Sequence, residues 1–460
     1  MKINKHVLTL LFTLLLSGIT FSQNTSFSKV ISPYGNINYA SFAASGIVKQ
    51  DNKYILALSG YDTTNISTDI QSLYFAKVDS NGDNFEIIKK YNQSDTNYYT
   101  NFGALIKTHN GGFCFVGDID FNYNNKLQHY VMLFDSSMNN ILTKIIPHDT
   151  IWEAVRQITE THDQGFILVG CRYVSDIVGN VLLIKTDSLG NQLWKMTIST
   201  GGYIGNGKQI EETPDHGFLI CGYNGSYTTG QGGPFLIKTD SAGNLIWVKY
   251  LGNSSQQDGS AAMAITQEGD YLVAFGYTTY TYTDNQYWSG RLNVIKYSPD
   301  GTQIWNKMYD TIRENIIVNK IQILPNNDFI VMGSCVENEV VFYYTSFIFK
   351  FKSNSDSLWR KIYYYTKKFT DGNYLVDNIL NSDGSITACG YVNGDTLVPY
   401  EKIWILKTDS SGYAPGCEPT VINEIQYAKT EAIRVYPNPA TNQTTIAYLQ
   451  LKEEGTIHTI

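Results

Sequence analysis

The stretch Val181-Leu-Leu-Ile-Lys-Thr-Asp-Ser-Leu-Gly-Asn-Gln-Leu-Trp194 reads as two strands joined by a tight turn. Its first four residues form a continuous apolar run, which is typical of a strand that is covered on both faces. The Asp-Ser-Leu-Gly-Asn segment has the residues that close tight turns, and the tryptophan lies in the strand that follows. The same pattern recurs at Phe235-Leu-Ile-Lys-Thr-Asp-Ser-Ala-Gly-Asn-Leu-Ile-Trp247.

This pattern recurs seven times at nearly even spacing. The turn residue falls at Asp79, Asp135, Asp187, Asp240, Ser298, Ser353 and Asp409, so successive copies are 56, 52, 53, 58, 55 and 56 residues apart. An apolar strand such as Gly165-Phe-Ile-Leu-Val-Gly-Cys171 and a mixed strand precede each turn, which makes four strands per unit. The middle strands need cover from neighbouring units on both faces. The predicted fold class is therefore all-β, a seven-bladed β-propeller of four-stranded antiparallel blades.

The seventh copy lacks its fourth strand, because Tyr413-Ala-Pro-Gly-Cys417 stands where other copies have the tryptophan strand. Near the N-terminus, Phe27-Ser-Lys-Val-Ile31 resembles Trp194-Lys-Met-Thr-Ile198. We expect this N-terminal strand to complete the seventh blade and to close the ring, which hides two sheet edges.

Composition supports strands and argues against two classes of partner. The 460 residues include 34 tyrosines and 38 glycines, which favour strands and turns respectively. The formal net charge is −8. Nucleic acids and anionic membranes both need a basic face, so neither is a predicted partner.

Residues 1–23 have the organisation of a secretory signal peptide. Lys2 and Lys5 precede an apolar run from Val7 to Leu16, which is too short to span a membrane. A buried core helix is the alternative interpretation. No later stretch reaches 18 apolar residues, so the mature protein is predicted to be secreted and to have no transmembrane segment.

Export implies an oxidising compartment, in which cysteines can pair. The six cysteines are Cys114, Cys171, Cys221, Cys335, Cys389 and Cys417, and no two of them are spaced as CxxC. We expect most of them to be buried free thiols, with one disulfide as the alternative.

The repeated turns and the histidines favour structural roles. The turn aspartates are expected to accept backbone N–H groups, while the turn glycines adopt positive φ. A structural calcium ion at Asp79, Asn81 and Asp83 is the alternative, although no Glu stands twelve positions on. His109, His162 and His216 fall at equivalent short turns, and no metal site is predicted there.

No catalytic motif stands out. The chain has no Gly-x-Ser-x-Gly elbow, phosphate loop or HExxH segment. Carboxylates near the predicted first strands, at Glu153, Glu160, Glu211 and Glu212, would lie close to the central channel, where an acid/base pair can assemble. Ordinary solvated channel lining is the interpretation we favour.

The longer loops favour a binding face. The second-to-third and fourth-to-first loops share one end of a propeller, and here they are long and rich in aromatic residues, whereas the other end has short turns. Predicted loops are Asp120 to Tyr130, Tyr223 to Gly233 and Tyr277 to Gly290. Exposed Tyr and Trp suit carbohydrate or protein surfaces. The candidate ligand-binding residues are Tyr223, Tyr227, Tyr280, Tyr282, Tyr287 and Trp288.

The C-terminal segment contains Ile433-Arg-Val-Tyr-Pro-Asn-Pro-Ala-Thr-Asn-Gln-Thr-Thr-Ile-Ala447. It resembles the opening of the type A C-terminal sorting domain of the type IX secretion system, and the matching signature is Val435, Tyr436, Pro437, Asn438 and Pro439. The resemblance implies transfer over the outer membrane by that machinery, with release or attachment at the cell surface. The family domain is a β-sandwich of about seven strands. Only about 30 residues follow Thr430, so a truncated sandwich fragment is expected.

The predicted organisation is a signal peptide (1–23), a seven-bladed propeller (24–414), a linker (415–430) and a truncated sorting domain (431–460). The leading function is a secreted or surface-displayed binding scaffold without a cofactor. Two alternatives stay open: an extracellular polysaccharide-active lyase or glycosidase with its site in the central channel, and a structural adhesion module.

Overall fold

A computed structural model describes residues 26–33, 41–61, 71–92, 96–121, 127–147, 152–175, 178–201, 204–225, 232–252, 261–281, 287–310, 314–337, 343–365, 372–393, 401–414, 420–421, 434–436, 445–448 and 458–459. These ranges contain strands and turns, and no helix occurs within them. Accordingly, no helix in these ranges is long and apolar enough to cross a membrane.

The strands form seven four-stranded antiparallel blades, as predicted. Blade 1 comprises β2 (Phe42–Gln50), β3 (Lys53–Tyr61), β4 (Gln71–Asp79) and β5 (Glu86–Tyr91), and blade 2 comprises β6 (Thr96–Lys107), β7 (Phe113–Phe121), β8 (Leu127–Phe134) and β9 (Asn140–Ile146). Blade 3 comprises β10 (Glu153–Glu160), β11 (Phe166–Ser175), β12 (Val178–Thr186) and β13 (Gln192–Ile198), and blade 4 comprises β14 (Ile204–Glu212), β15 (Phe218–Gly225), β16 (Gly232–Thr239) and β17 (Leu245–Tyr250). Blade 5 comprises β18 (Ala262–Ile265), β19 (Tyr271–Thr281), β20 (Tyr287–Tyr297) and β21 (Gln303–Asp310), and blade 6 comprises β22 (Glu314–Ile323), β23 (Phe329–Glu337), β24 (Tyr343–Phe351) and β25 (Ser357–Tyr363). Blade 7 comprises β26 (Asn373–Leu380), β27 (Ile386–Asn393), β28 (Glu401–Lys407) and, from the N-terminus, β1 (Phe27–Ile31).

The N-terminal strand closes the ring, which confirms the prediction. β1 pairs antiparallel with β28, from Phe27 opposite Lys407 to Ile31 opposite Ile403. The indole Nε1 of Trp404 also donates to Ser28 Oγ at 3.0 Å. The first strands contact one another in order around the ring, and β26 of blade 7 contacts β2 of blade 1. The propeller is therefore a closed ring with the first strands innermost.

In five blades, one aromatic residue of the outer strand packs on the next blade. Trp194, Trp247, Trp305, Trp359 and Phe27 each lie opposite a lysine in the register of their blade. The ring of Trp359 lies so close to Gly412 that a Cβ there would approach it to 2.8 Å, and Phe27 lies in the same relation to Gly82 at 2.5 Å. Both glycines also have φ near +80°. Two features of this turn require glycine: the positive φ of its backbone and the aromatic ring that leaves no space for a Cβ.

The repeated aspartates hold the turns between third and fourth strands. Asp187 Oδ1 accepts the N–H groups of Leu189 (2.9 Å) and Asn191 (2.8 Å), and its Oδ2 accepts the side-chain amide of Asn191 (2.8 Å). The hydrogen bond from the Asn191 side chain is the largest influence that lowers the pKa of Asp187. In blade 6 the equivalent residue is Lys352 and not Ser353, because the N–H of Lys352 closes the turn onto Asp356 O. The predicted position was wrong by one residue there, since this turn has no Asp at its first position.

Apolar side chains from adjacent blades form the cores between them. Leu168 of blade 3, for instance, shares a core with Phe115 and Phe134 of blade 2. The described cysteines, Cys114, Cys171, Cys221, Cys335 and Cys389, are buried free thiols, and Cys417 lies outside the described residues. Burial raises the pKa of the Cys221 thiol to about 12 and that of Cys171 to about 11. These thiols are small core residues, as the sequence predicted.

Two short segments follow the seventh blade. β29 (Thr420–Val421) pairs with β25 of blade 6, a pairing that the assignment of 415–430 to a linker did not anticipate. Residues 422–460 form a separate compact unit. Its described strands, β30 (Arg434–Tyr436), β31 (Thr445–Tyr448) and β32 (His458–Thr459), make one three-stranded sheet.

Candidate functional site

The two ends of the propeller differ in their chain connections. At one end, turns of a few residues join the first strand to the second and the third to the fourth, and each closes by backbone hydrogen bonds such as Thr161 N to Gly165 O (2.9 Å). At the other end, the second-to-third and fourth-to-first connections are the segments that interrupt the described ranges. We call these ends the turn face and the loop face.

A partly exposed aromatic pair lies on the loop face of blade 3. Trp152 directly precedes β10 and is 40% exposed. Its ring packs edge-to-face against Tyr173, near the end of β11, with centroids 4.6 Å apart. A hydrogen bond from Tyr173 N to Trp152 O (2.9 Å) fixes the two backbones. We call Trp152 and Tyr173 the blade-3 platform.

A buried charge network lies next to the platform, between blades 2 and 3. His129 on β8 is fully buried, and its Nδ1 lies 2.8 Å from Asp118 Oδ1 while its Nε2 lies 3.3 Å from Glu153 Oε2. Lys195 Nζ approaches the same Glu153 oxygen to 2.6 Å. Arg172 Nε lies 3.4 Å from Glu153 Oε1. Glu153 directly follows Trp152, so this network anchors the base of the platform.

The charges in this network support one another. Burial opposes a charged His129, but hydrogen bonds to Asp118 and Glu153 outweigh burial and raise its pKa. Burial likewise opposes an ionised Glu153, yet the hydrogen bonds from His129 and Lys195 lower its pKa. When protonated, His129 can donate both of its ring N–H groups to carboxylates. A buried network in which one partner is removed leaves an uncompensated charge, so the arrangement resists deformation.

The centre of the ring holds a cavity of about 230 Å³. Its lining comprises Ile47, Val48, Leu105, Ile106, Lys107, Gln157, Lys208, Gln209, Asn319, Lys320, Val376, Asp377 and Ile379. Among the described residues, no aromatic side chain belongs to this lining. Three of its polar side chains form hydrogen bonds to the backbone of neighbouring blades. Gln157 accepts from Ile210 N (2.7 Å), Gln209 from Met263 N (2.9 Å) and Asp377 from Ile47 N (3.0 Å).

Lys208 and Lys320 are held in place around the channel. Lys208 Nζ donates to Val318 O (2.7 Å), reaching past blade 5 to blade 6, and burial lowers its pKa to about 8. Lys320 Nζ pairs with Asp377 Oδ1 (2.5 Å) and donates to Asn378 O (2.8 Å). These contacts link the inner strands of different blades.

The channel carboxylates predicted from the sequence separate into different environments. Glu153 belongs to the buried network, and Glu160 and Glu212 end their strands at the turn face, where they accept the N–H groups of His109 and His162. Burial raises the pKa of Glu211 to about 7, even though the backbone N–H of Ile265 bonds to it. A pKa raised to this extent suits general acid chemistry near neutral pH.

Two of the six predicted ligand-binding residues lie outside the described residues. Tyr223 lies near the end of β15 and is partly exposed, whereas Tyr227 and Tyr282 lie outside the described residues. Tyr280 pairs with Trp288, and Thr281 with Tyr287, in a hairpin that extends β19 and β20.

The loops are shorter than predicted. The proposed loop from Tyr277 to Gly290 is mostly strand, because β19 continues to Thr281 and β20 begins at Tyr287. Likewise β7 continues to Phe121, β8 begins at Leu127, β15 continues to Gly225 and β16 begins at Gly232. Strand propensity of the Tyr and Thr residues explains the extension, because the same residues that suit a binding loop also suit a paired strand.

The calcium alternative is weakened by the turn that contains its candidate ligands. Asp79 Oδ1 accepts the N–H groups of Asn81 (2.9 Å) and Asp83 (2.8 Å), and its Oδ2 accepts the side-chain amide of Asn84 (2.9 Å). Asp83 forms an ion pair with Lys29 of β1. The carboxylates therefore already have partners within the turn and across the ring closure.

The sequence did not reveal the blade-3 platform or the network behind it. The available signal was that Trp152 falls outside the repeated tryptophan position of the outer strands. His129 gave no signal, because its partners Asp118 and Glu153 come from two different blades.

No family model matches this chain, and no curated protein matches it in sequence. Several solved structures are similar to it. An α-L-arabinanase from Penicillium chrysogenum is 11% identical, with a TM-score of 0.42 over 84% of this chain and 98% of that one. The polysaccharide lyase Uly1 is 9% identical, with a TM-score of 0.47 over 80% and 90%. The β-propeller domain of the Trilobed protease from Pyrococcus furiosus is 8% identical, with a TM-score of 0.41 over 80% and 98%. Similarity at this level does not assign an activity to the chain.

Proposed function

We propose that this protein is an extracellular binding scaffold whose loop face recognises carbohydrate. The observation that carries the proposal is the blade-3 platform, in which the partly exposed Trp152 ring is oriented by Tyr173 and anchored through Glu153. A rigid aromatic surface offers apolar contact area at little cost in conformational entropy, which suits the C–H faces of sugar rings.

The neighbourhood of the platform adds polar groups suited to hydroxyl or carboxylate recognition. Arg172 is on the same strand as Tyr173, and its guanidinium is oriented by Glu153. Arg presents several N–H donors in a fixed plane. Tyr223 lies near the end of β15, and Tyr280, Tyr287 and Trp288 lie in the loop-face hairpin of β19 and β20. We propose that they extend the binding surface, together with Tyr227 and Tyr282, which lie outside the described residues.

The test is a glycan array followed by titration of the bound sugars. We expect Trp152→Ala to weaken binding at least tenfold, which corresponds to about 1.4 kcal/mol of lost contact energy. Tyr413→Ala is the matched control, because Tyr413 is 47% exposed but lies in a turn at the opposite face. Equal binding by Trp152→Ala and the wild type would contradict the proposal.

A polysaccharide-active enzyme is the second candidate. The raised pKa of Glu211 favours it, because a general acid needs a carboxyl group that stays protonated near neutral pH. The small cavity with no aromatic lining, and the bond from Ile265 N to Glu211, favour the binding scaffold instead. Release of reducing ends from the bound glycans, abolished by Glu211→Gln, would establish the enzyme and overturn the first proposal.

We further propose that residues 1–23 direct export and that residues 431–460 engage the type IX secretion machinery. The support is the signal-like N-terminus and the motif Val435, Tyr436, Pro437, Asn438 and Pro439. Val435 and Tyr436 lie in β30, while Pro437, Asn438 and Pro439 lie outside the described residues. In a host with this machinery, loss of 431–460 should retain the protein inside the outer membrane. Unchanged appearance in the medium would rule out this role.

A further inference from the structure

Three side chains with metal-binding donor atoms lie together on the turn face, at the boundary of blades 3 and 4. They are His162 from the first turn of blade 3, and Glu212 and His216 from blade 4. One donor atom of each, an imidazole nitrogen or a carboxylate oxygen, lies within 4.8 Å of the others. This cluster is at the opposite end of the ring from the blade-3 platform, so the inference is independent of the proposed binding face.

The backbone pre-positions this cluster. Glu212 Oε2 accepts the N–H of His162 at 2.7 Å, which links the turn of blade 3 to the end of β14. His162 Nδ1 lies 2.5 Å from Glu212 Oε1, and His216 Nδ1 lies 3.6 Å from the same oxygen. The two imidazole rings stack with centroids 3.8 Å apart. Both Nδ1 atoms are thus directed at one carboxylate.

We propose that His162, Glu212 and His216 form a zinc site that joins blade 3 to blade 4. Two imidazole nitrogens and one carboxylate oxygen are a known zinc donor set, with water in the fourth position. Tetrahedral bonds of about 2.1 Å place donor atoms about 3.4 Å apart, so small side-chain rotations suffice to bring these three into range. The side chains of His162 and His216 are about half exposed, at 53% and 54%, which leaves room for the water ligand.

The chain contains a near copy of this arrangement that lacks one ligand. At the boundary of blades 2 and 3, Glu160 Oε2 accepts the N–H of His109 at 2.6 Å, as Glu212 does for His162. The position equivalent to His216 is Gln164, and the two residues have φ of 61° and 64°. His109, Glu160 and Gln164 all line one surface cavity. The pair of sites provides both a loss variant and a gain variant with native backbone geometry.

The experiment is a titration of the metal-stripped, tag-free full chain with ZnCl₂, followed by calorimetry and by elemental analysis after dialysis. We expect one zinc per wild-type chain and at least a tenfold weaker site in His216→Gln, because glutamine already occupies that conformation in blade 3. Gln164→His should bind a second zinc with His109 and Glu160. His109→Gln, the matched control, should keep the single wild-type site.

Three results would count against the inference. Wild-type protein that binds less than a tenth of an equivalent, or His216→Gln that binds as tightly as wild type, would overturn the site. A failure of Gln164→His to gain zinc would contradict the proposed donor geometry. Zinc should also raise the melting temperature of the wild type and not that of His216→Gln, since a ligand that binds only the folded state stabilises it.

Discussion

His129 illustrates how much a single residue contributes in this fold. It is fully buried, and both ring nitrogens face carboxylates, Asp118 Oδ1 at 2.8 Å and Glu153 Oε2 at 3.3 Å. No pattern in the sequence marks it, because a lone histidine in a strand has no periodic partner. The turn aspartates are the opposite case: Asp187 and Asp240 were assigned to tight turns from spacing alone, and their carboxylates accept the expected N–H groups. Local hydrogen bonding can be predicted from sequence, whereas contacts between blades depend on the packed ring.

We predict that His129→Leu lowers the free energy of unfolding by about 3–5 kcal/mol at pH 6, because it leaves the buried Asp118 without its imidazole partner and removes one of the cationic partners of Glu153. The effect should shrink at alkaline pH. The pKa of His129 is raised in the folded state, so its stabilisation is complete below its unfolded value of about 6.5 and is lost as the pH rises through the folded value. Urea denaturation at pH 6 and pH 9 measures both effects.

His109→Leu is the control for this measurement. The His109 side chain is 74% exposed, so its loss should change stability by no more than about 0.5 kcal/mol. If His129→Leu unfolds within 1 kcal/mol of the control at pH 6, the buried network does not stabilise the protein as described.

Among the strands, those that follow the sequence repeat could be predicted and those outside it could not. The sequence aligned Phe27 with Trp194, and the structure places both opposite a lysine of the neighbouring strand, Lys407 and Lys185. The closing strand could therefore be predicted, because the position repeats around the ring. The pairing of Thr420–Val421 with β25 could not, because two residues carry no periodic signal. The loop-face hairpin of β19 and β20 was misjudged for a related reason, since Tyr and Thr suit both loops and strands.

We predict that deletion of residues 24–32 sharply lowers the melting temperature and promotes aggregation. The deletion exposes the edge of β28 and removes five paired residues. Phe27→Ala should reproduce part of the effect, about 3 kcal/mol, because this 7% exposed ring fills the space above Gly82. Phe27→Trp is the matched control and should be tolerated, because Trp194, Trp247, Trp305 and Trp359 occupy the same position in four other blades. A deletion variant with an unchanged melting temperature would refute closure by β1.

The channel is a property of the whole ring, since its lining comes from the first strands of six blades. β18 of blade 5 is only four residues long, Ala262–Ile265, and Lys208 of blade 4 reaches past it to Val318 of blade 6. The sequence located the acidic candidates on first strands, but it did not show that their environments differ. Glu211 is only partly exposed and accepts the N–H of Ile265, whereas Glu212, one residue later, faces the histidines of the turn face.

We predict that wild-type stability falls as the pH rises from 5 to 8 and that Glu211→Gln removes much of this decline. Burial raises the pKa of Glu211 from 4.5 to about 7, so between these values the folded chain binds more protons than the unfolded chain. Stability must then decrease with rising pH across that interval. At pH 8 the variant should be more stable than wild type by on the order of 2 kcal/mol, while at pH 5 the two should be similar. Glu86→Gln, at a mostly exposed residue paired with Lys77, should keep the wild-type pH profile. Thermal melts of the three proteins at pH 5, 6.5 and 8 test this, and parallel profiles for wild type and Glu211→Gln would show that the folded state does not raise the pKa of this carboxyl group.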